Sequence, residues 1–546
     1  MSPDGPLIVQ SDRTVLLEVA HPLADDARYD LAVFAELERA PEHIHTYRIT
    51  RLGLWNARAA GHDAEDMLAT LERYSRFPVP QSVTVDVTET VARYGRLVID
   101  RAEDGALTLT ATDAAVLREI IRAKKVAELL FEKRGEHTFV VQAWARGQLK
   151  QELLKLGWPA EDRAGYTPGT PHEIDLDSSG GWSLRPYQEQ AVVDFAAHGS
   201  GVVVLPCGAG KTLVGLGAMA RTDTTTLILV TNTVSARQWR SEILARTTLT
   251  EEEVGEYSGQ VKEIKPVTIA TYQILTAKRK GAYAHLALLD ALDWGLVIYD
   301  EVHLLPAPVF KLTAELQARR RLGLTATLVR EDGREGDVFS LIGPKRFDAP
   351  WKEIEAQGFI SPAECFEVRV DLPESERLAY AAATDDERYR MAASAPAKLA
   401  VVKRLVSKHD GERILVIGQY LDQLDELAEA LGAPTLTGST PVAERERLYQ
   451  EFREGTTRLL VVSKVANFSV DLPEASVAIQ VSGTFGSRQE EAQRLGRLLR
   501  PKESGLQASF YTLVARDTVD QDFAQNRQRF LAEQGYRYEI LDAADV

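Results

Sequence analysis

Four apolar residues, Val202-Val203-Val204-Leu205, run directly into Pro206-Cys207-Gly208-Ala209-Gly210-Lys211-Thr212, and an apolar helical pattern follows. A buried strand, a tight loop and a helix in that order commit the chain to an α/β layer arrangement. Glycines in such a loop let backbone N–H groups turn inward onto phosphate oxygens at a helix N-terminus, where the helix dipole favours negative charge. Gly208, Ala209 and Gly210 supply the loop, Lys211 would reach the β and γ phosphates, and Thr212 would place its hydroxyl on Mg²⁺. A strict phosphate loop opens on glycine, whereas Leu205 and Pro206 open this one.

Short apolar runs alternate with helical segments from Leu184 onward: Gly201 to Leu205, Thr225 to Val230, Val267 to Thr271, Leu296 to Tyr299 and Arg321 to Leu324. The rhythm returns at Ile414 to Ile417, Leu459 to Val462, Val477 to Val481 and Ser509 to Leu513. Runs rich in Val, Ile and Leu are what a parallel sheet covered on both faces requires, so two α/β domains stand in tandem. The earlier part of the chain reads as mixed α and β, with strand-like Pro6 to Val9 and Thr138 to Ala143 and an amphipathic stretch from Asp113 to Phe131. Tyr166 to Trp182 concentrates Gly, Pro, Ser and Asp and reads as a linker, while Leu372 to Met391 is charged and helix-prone.

With 546 residues, a single small binding module is excluded. The formal charge of −16 removes any argument for a polyanion partner from bulk charge, so such a site must be local. Cys207 and Cys365 are the two cysteines, too few for a disulfide framework or a cysteine zinc site, and a reducing, cytoplasmic setting is expected. No run of about 18 apolar residues occurs, which argues against a membrane span.

Leu296-Val297-Ile298-Tyr299 ends in Asp300-Glu301-Val302-His303, two carboxylates at the carboxyl end of a buried strand, where open α/β sheets bind ligands. Such a pair on its own is a common helix cap. Beside a phosphate loop, Asp300 is expected to hold Mg²⁺, and Glu301 to orient and deprotonate the attacking water. His303 is either structural or a link to the next domain. In the second half, Gln493, Gly496, Arg497 and Arg500 fall at i, i+3, i+4 and i+7, one helix face with a Gln and two guanidinium groups. That face either is solvated or lies against a triphosphate held by the other domain, where arriving arginines stabilise transition-state charge.

GAGKT, DEVH, Thr325-Ala326-Thr327 and QRLGRLLR, in that order, resemble superfamily-two helicases. LRPYQ from Leu184, the triplet Arg330-Glu331-Asp332, SKVANFSVDLPEA from Ser463 and RQEEAQRLGRLLR from Arg488 look like the XPB branch of DNA helicases, a likeness covering most of the chain. The resemblance implies two RecA-like P-loop domains, a mixed α/β N-terminal domain and a small helical thumb-like insertion. The expected divisions are 1–145 for a damage-recognition-like domain, 146–182 for a linker, 183–349 for the first helicase domain, 360–395 for the insertion and 396–546 for the second helicase domain. It also implies that Gln188, with Arg185 nearby, reads adenine, and that Arg497 and Arg500 touch the γ-phosphate. Thr325 and Thr327 would couple hydrolysis to movement, and Arg330, Glu331 and Asp332 would serve DNA opening. Gln419, Thr437, Ser463 and Asp471 would lie near the nucleic-acid track or the domain cleft.

The implied activity is an ATP-dependent 3′–5′ DNA helicase or duplex translocase using ATP and Mg²⁺ in nucleotide excision repair, with a repair nuclease or a transcription-repair complex as partner. An RNA remodeller and an ATP-gated scaffold remain as alternatives. Lys278, Arg279 and Lys280 are either part of a backbone-gripping groove or a solvated loop, and the N-terminal region either recognises distortion or braces the motor.

Overall fold

The computed structural model describes residues 5–41, 43–206, 208–279, 282–306, 309, 313, 316–326, 335–349, 354, 363–463, 475–483, 508–533 and 538–546. Two small sheets precede the two α/β domains. In the first, Leu7–Val9, Thr14–Glu18, Ile44–Ile49 and Ala35–Arg39 are neighbours in that order, all antiparallel. Along Ile44–Ile49 the side chains of His45, Tyr47 and Ile49 are buried while those between are not, the period of two expected of a sheet with one covered face. Helices Ala24–Ala32, Arg51–Ala59, Ala64–Tyr74 and Gln81–Arg93 accompany this sheet, and Asp63 and Asp66 close a reciprocal capping box at the start of the third.

The second sheet orders Leu130–Lys133, Thr138–Val141, Leu107–Ala111, Leu97–Arg101 and Ala160–Asp162. Its last strand falls in the segment expected to be linker, and helix Arg146–Lys155 precedes it. The first part of 146–182 is therefore folded. Its strand is three residues long and paired on one side, so it carries no apolar run that sequence could register.

Among the described residues, each α/β domain is built on seven strands, all paired in parallel. The expected two tandem RecA-like domains are what the chain forms. The first sheet runs Val254–Tyr257, Val267–Thr271, Thr226–Val230, Leu296–Asp300, Arg320–Thr325, Ser200–Val204, Lys345–Asp348. Every residue of Thr226–Val230 and Val267–Thr271 is buried, as strands covered on both faces must be. The second sheet runs Thr435–Leu436, Leu459–Ser463, Ile414–Gly418, Val477–Gln480, Ala508–Ala515, Ala363–Val370, Tyr538–Asp542. Strand Ala363–Val370 lies within the span set aside for the insertion, so that span is not wholly helical; helices Glu374–Ala382 and Asp385–Ala393 follow the strand.

The first small unit touches both motor domains. Asn56 Oδ1 accepts from Lys345 N at 2.9 Å, on the outermost strand of the first motor sheet. Ala532, on the second domain's helix Val519–Glu533, is 1% exposed and packs into the core beneath the four-stranded sheet.

Candidate nucleotide-hydrolysis site

In the first motor sheet, Val204 stands beside Thr325, and Asp300 beside Leu324. The phosphate loop, the acidic pair and Thr325 are thus brought to one carboxyl edge, two strand spacings across, or about 10 Å. Gly208 and Gly210 both adopt left-handed backbone, with φ of 82° and 81°. Gly210 caps helix Lys211–Thr222, and a Cβ there would meet Gln188 Nε2 at 2.4 Å. A side chain there would be strained by the positive φ and would push Gln188 aside.

Gln188 is fully buried. Its amide oxygen accepts from Arg185 N at 2.9 Å and its amide nitrogen donates to Ala209 O at 2.8 Å. The Tyr187 hydroxyl donates to the same carbonyl at 2.8 Å. The side chain expected to read adenine is thus bonded to the phosphate loop.

Lys211 Nζ lies 2.8 Å from Glu301 Oε1. Glu301 is one of the few non-glycine residues described with positive φ, at 48°, and its N–H donates to Asp300 Oδ1 at 3.0 Å. The other Asp300 oxygen accepts from Trp239 Nε1 at 2.9 Å, and the Asp300 carbonyl accepts from the Tyr272 hydroxyl at 2.8 Å. Burial pushes the Asp300 carboxyl up to about 6, the Glu301 charge adds to this, and Lys211 and the Trp239 bond oppose it. Burial also pushes Glu301 upward, but Lys211 and then His303 outweigh it and hold that carboxyl below its ordinary range. One lysine thus serves two adjoining half-buried carboxylates. Hard oxygen donors short of positive charge, beside the Thr212 position and a cradle of backbone N–H groups, fit a divalent cation carrying a phosphate ligand.

Residues 354–545 match the family described as ERCC3/RAD25/XPB C-terminal helicase, residues 181–330 match Type III restriction enzyme, res subunit, and residues 7–135 match Helicase conserved C-terminal domain. The chain is 67% identical over 543 residues to the DNA 3'-5' helicase XPB of Kineococcus radiotolerans, covering 100% of this chain and 97% of that protein. The chain belongs to the XPB helicase family. It is likewise 64% identical over 543 residues to the DNA 3'-5' helicase XPB of Mycobacterium tuberculosis, covering 100% of this chain and 99% of that one. Identity to the Saccharomyces cerevisiae general transcription and DNA repair factor IIH helicase/translocase subunit XPB/SSL2 is 31% over 603 residues, 98% of this chain and 72% of that one.

The other residues singled out in the sequence are spread over both domains. Thr325 is fully buried at the end of its strand, and its hydroxyl lies 2.7 Å from His303 Nδ1, which is itself 3.5 Å from Glu301 Oε2. A continuous polar chain therefore runs from the lysine through Glu301 and His303 to Thr325. In the second domain, Gln419 follows strand Ile414–Gly418, Ser463 ends Leu459–Ser463, and Thr437 follows Thr435–Leu436. These strands are parallel neighbours, so the three residues share one carboxyl edge. The Thr437 hydroxyl is 2.8 Å from that of Ser439, and Gln419 N donates to Ser482 Oγ at 2.8 Å. Lys278 and Arg279 form one arm of a two-stranded hairpin with Ala282–Tyr283, following the carboxyl end of Val267–Thr271 by way of helix Tyr272–Thr276. Cys207, Lys280, Thr327, Arg330, Glu331, Asp332, Asp471, Gln493, Arg497 and Arg500 lie outside the described residues.

Sequence reasoning missed Trp239, Tyr187 and Tyr272. Trp239 is held against the helix after the phosphate loop, where a Cβ on Gly215 would meet its ring at 2.4 Å. No motif announces it, because its bond to Asp300 spans 61 positions of sequence.

Proposed function

We propose that this chain is an ATP-dependent DNA helicase of 3′–5′ polarity that couples hydrolysis to DNA opening in nucleotide excision repair. The observation that carries the reading is the Lys211–Glu301–Asp300 constellation on the carboxyl edge of a RecA-like domain, in a chain whose XPB relatives align from end to end.

Loop N–H groups between 208 and 212, with Lys211, would hold the triphosphate, and Thr212 and Asp300 would hold Mg²⁺. When bound, Mg²⁺ neutralises phosphate charge and orients the reacting γ-phosphoryl group. Glu301, kept ionised by Lys211 and His303, takes the proton of the attacking water. Phosphates and Glu301 compete for the same ammonium, so nucleotide binding releases the carboxylate for that task. Trp239 fixes one Asp300 oxygen, leaving the carboxylate one orientation toward the edge. Gln493, Arg497 and Arg500 would complete the site from the second domain, making hydrolysis depend on closure. His303 and Thr325 would pass the change at Glu301 into the strand beside the loop. DNA is the substrate, gripped through its backbone at local basic positions such as Lys278 and Arg279, and a repair nuclease or transcription-repair complex is the partner class.

The test is steady-state ATP hydrolysis with no nucleic acid, single-stranded DNA, duplex DNA and matched RNA. Stimulation by DNA that is lost in Lys211→Ala supports the reading. Preference for RNA would move the chain to the remodellers, and indifference to every nucleic acid would favour an ATP-gated scaffold.

A further inference from the structure

A cavity of about 650 Å³ opens where the two N-terminal units meet the first motor domain. Arg58 comes from the four-stranded unit, Arg96, Lys150 and Arg163 from the five-stranded one, and Arg346 from the motor, against two carboxylates, Glu161 and Asp162. Both carboxylates are already engaged. Asp162 accepts from Arg146 at 2.7 Å and Lys150 at 2.9 Å, and Glu161 from Arg163 at 2.7 Å, while Arg96 lies 3.9 Å from Asp113 outside the cavity, which leaves Arg58 and Arg346 as the surplus. Arg346 Nε donates to the carbonyl of Ser200 at 3.1 Å, and neither it nor Arg58 forms an ion pair among the described residues.

In a chain of net charge −16, this is a local surplus of positive charge inside a concavity. Burial lowers the affinity of both Lys150 and Arg346 for their protons, the Lys150 ammonium falling to about 8 despite its pairing with Asp162. The cavity is separate from the hydrolytic site. Ser200 and Arg346 stand at the amino ends of strands Ser200–Val204 and Lys345–Asp348, whereas Lys211 follows the carboxyl end, a strand length of about 13 Å away.

We propose that this three-unit cavity binds a small oligophosphate anion, of the pyrophosphate, tripolyphosphate or nucleotide-phosphate class. Its volume lies within the range of small-ligand pockets and exceeds what a single phosphate fills. Its cations converge from three bodies on one concavity, whereas the phosphates of a duplex are strung along a convex rod. Because each body contributes a cation, the bound anion clamps the N-terminal units onto the motor.

Tripolyphosphate is the probe, titrated calorimetrically into the full chain carrying Lys211→Ala, which removes the phosphate-loop lysine from the measurement. The expected result is saturable binding of one anion that weakens about tenfold when Arg58→Ala or Arg346→Gln is added, with a matching loss of thermal stabilisation. Arg58 is exposed, so its variant tests the site without a folding penalty. No binding to the Lys211→Ala chain, or binding indifferent to both arginines, overturns the proposal. So does displacement of tripolyphosphate by a short duplex that depends on Arg58, since the cavity would then belong to the DNA path.

Discussion

Lys211 and Glu301 meet at 2.8 Å across the strand that separates the phosphate loop from the acidic pair. The lysine that would bind phosphate and the carboxylate that would activate water are therefore a single electrostatic unit. Lys211→Ala is expected to lose about 10² to 10³ or more in kcat, as removal of a transition-state donor does. Glu301→Gln is expected to slow hydrolysis by about 10² to 10⁴ yet bind nucleotide at least as tightly, because phosphates no longer compete with a carboxylate for the ammonium. Titration with a fluorescent ATP analogue separates the two; weaker binding in Glu301→Gln contradicts the competition.

Asp300 carries a pH signature. Its folded carboxyl titrates near 6, above the ordinary 3.8, so over that interval the folded chain holds a proton that the unfolded chain has released. Stability from this group is present below about pH 4 and is lost as pH rises through about 6, by about 1–3 kcal/mol. Urea unfolding in metal-free buffer at pH 4.5 and 7 should show this decline in the native chain and a smaller one in Asp300→Asn. Mg²⁺ should recover stability at pH 7 in the native chain alone. An equal pH slope in both chains contradicts this electrostatic account.

Gln188 braces the loop carbonyl at Ala209 with its amide nitrogen. Gln188→Ala should weaken ATP and GTP by the same factor, about fivefold to tenfold for one buried hydrogen bond, with the Tyr187 hydroxyl still holding the Ala209 carbonyl. Competition binding with both nucleotides checks this. A selective loss of ATP would instead support the adenine-reading role.

Ala532 ties the second motor domain to the four-stranded unit. Ala532→Asp places an unpaired carboxylate in that apolar contact, costing several kcal/mol if the contact stays closed, so the contact opens. Hydrogen exchange should rise along Ala35–Arg39, the strand beside helix Val519–Glu533, with the Lys211 helix unchanged. Unchanged exchange in that strand would mean the contact does not hold the two together.

What sequence could show followed burial. Thr226–Val230 and Val267–Thr271 are covered on both faces, so their composition alone marks them. Lys345–Asp348 and Tyr538–Asp542 sit at sheet margins with one neighbour each and stay partly polar, and they passed unnoticed. The loop and the acidic pair were legible because each is contiguous in sequence. Trp239 and Tyr272 reach Asp300 only through the fold, and Gln188 was recognisable as a motif residue while its bond to Ala209 was not.

The central claim is that hydrolysis at Lys211 and Glu301 drives directional opening of DNA. The most direct measurement is ATP-dependent strand separation on two duplexes alike except for a 3′ or a 5′ single-stranded tail, with Glu301→Gln alongside. Separation of the 3′-tailed duplex alone, lost in Glu301→Gln, is the expected result. Equal separation of both tails, or opening that persists in the variant, would contradict it.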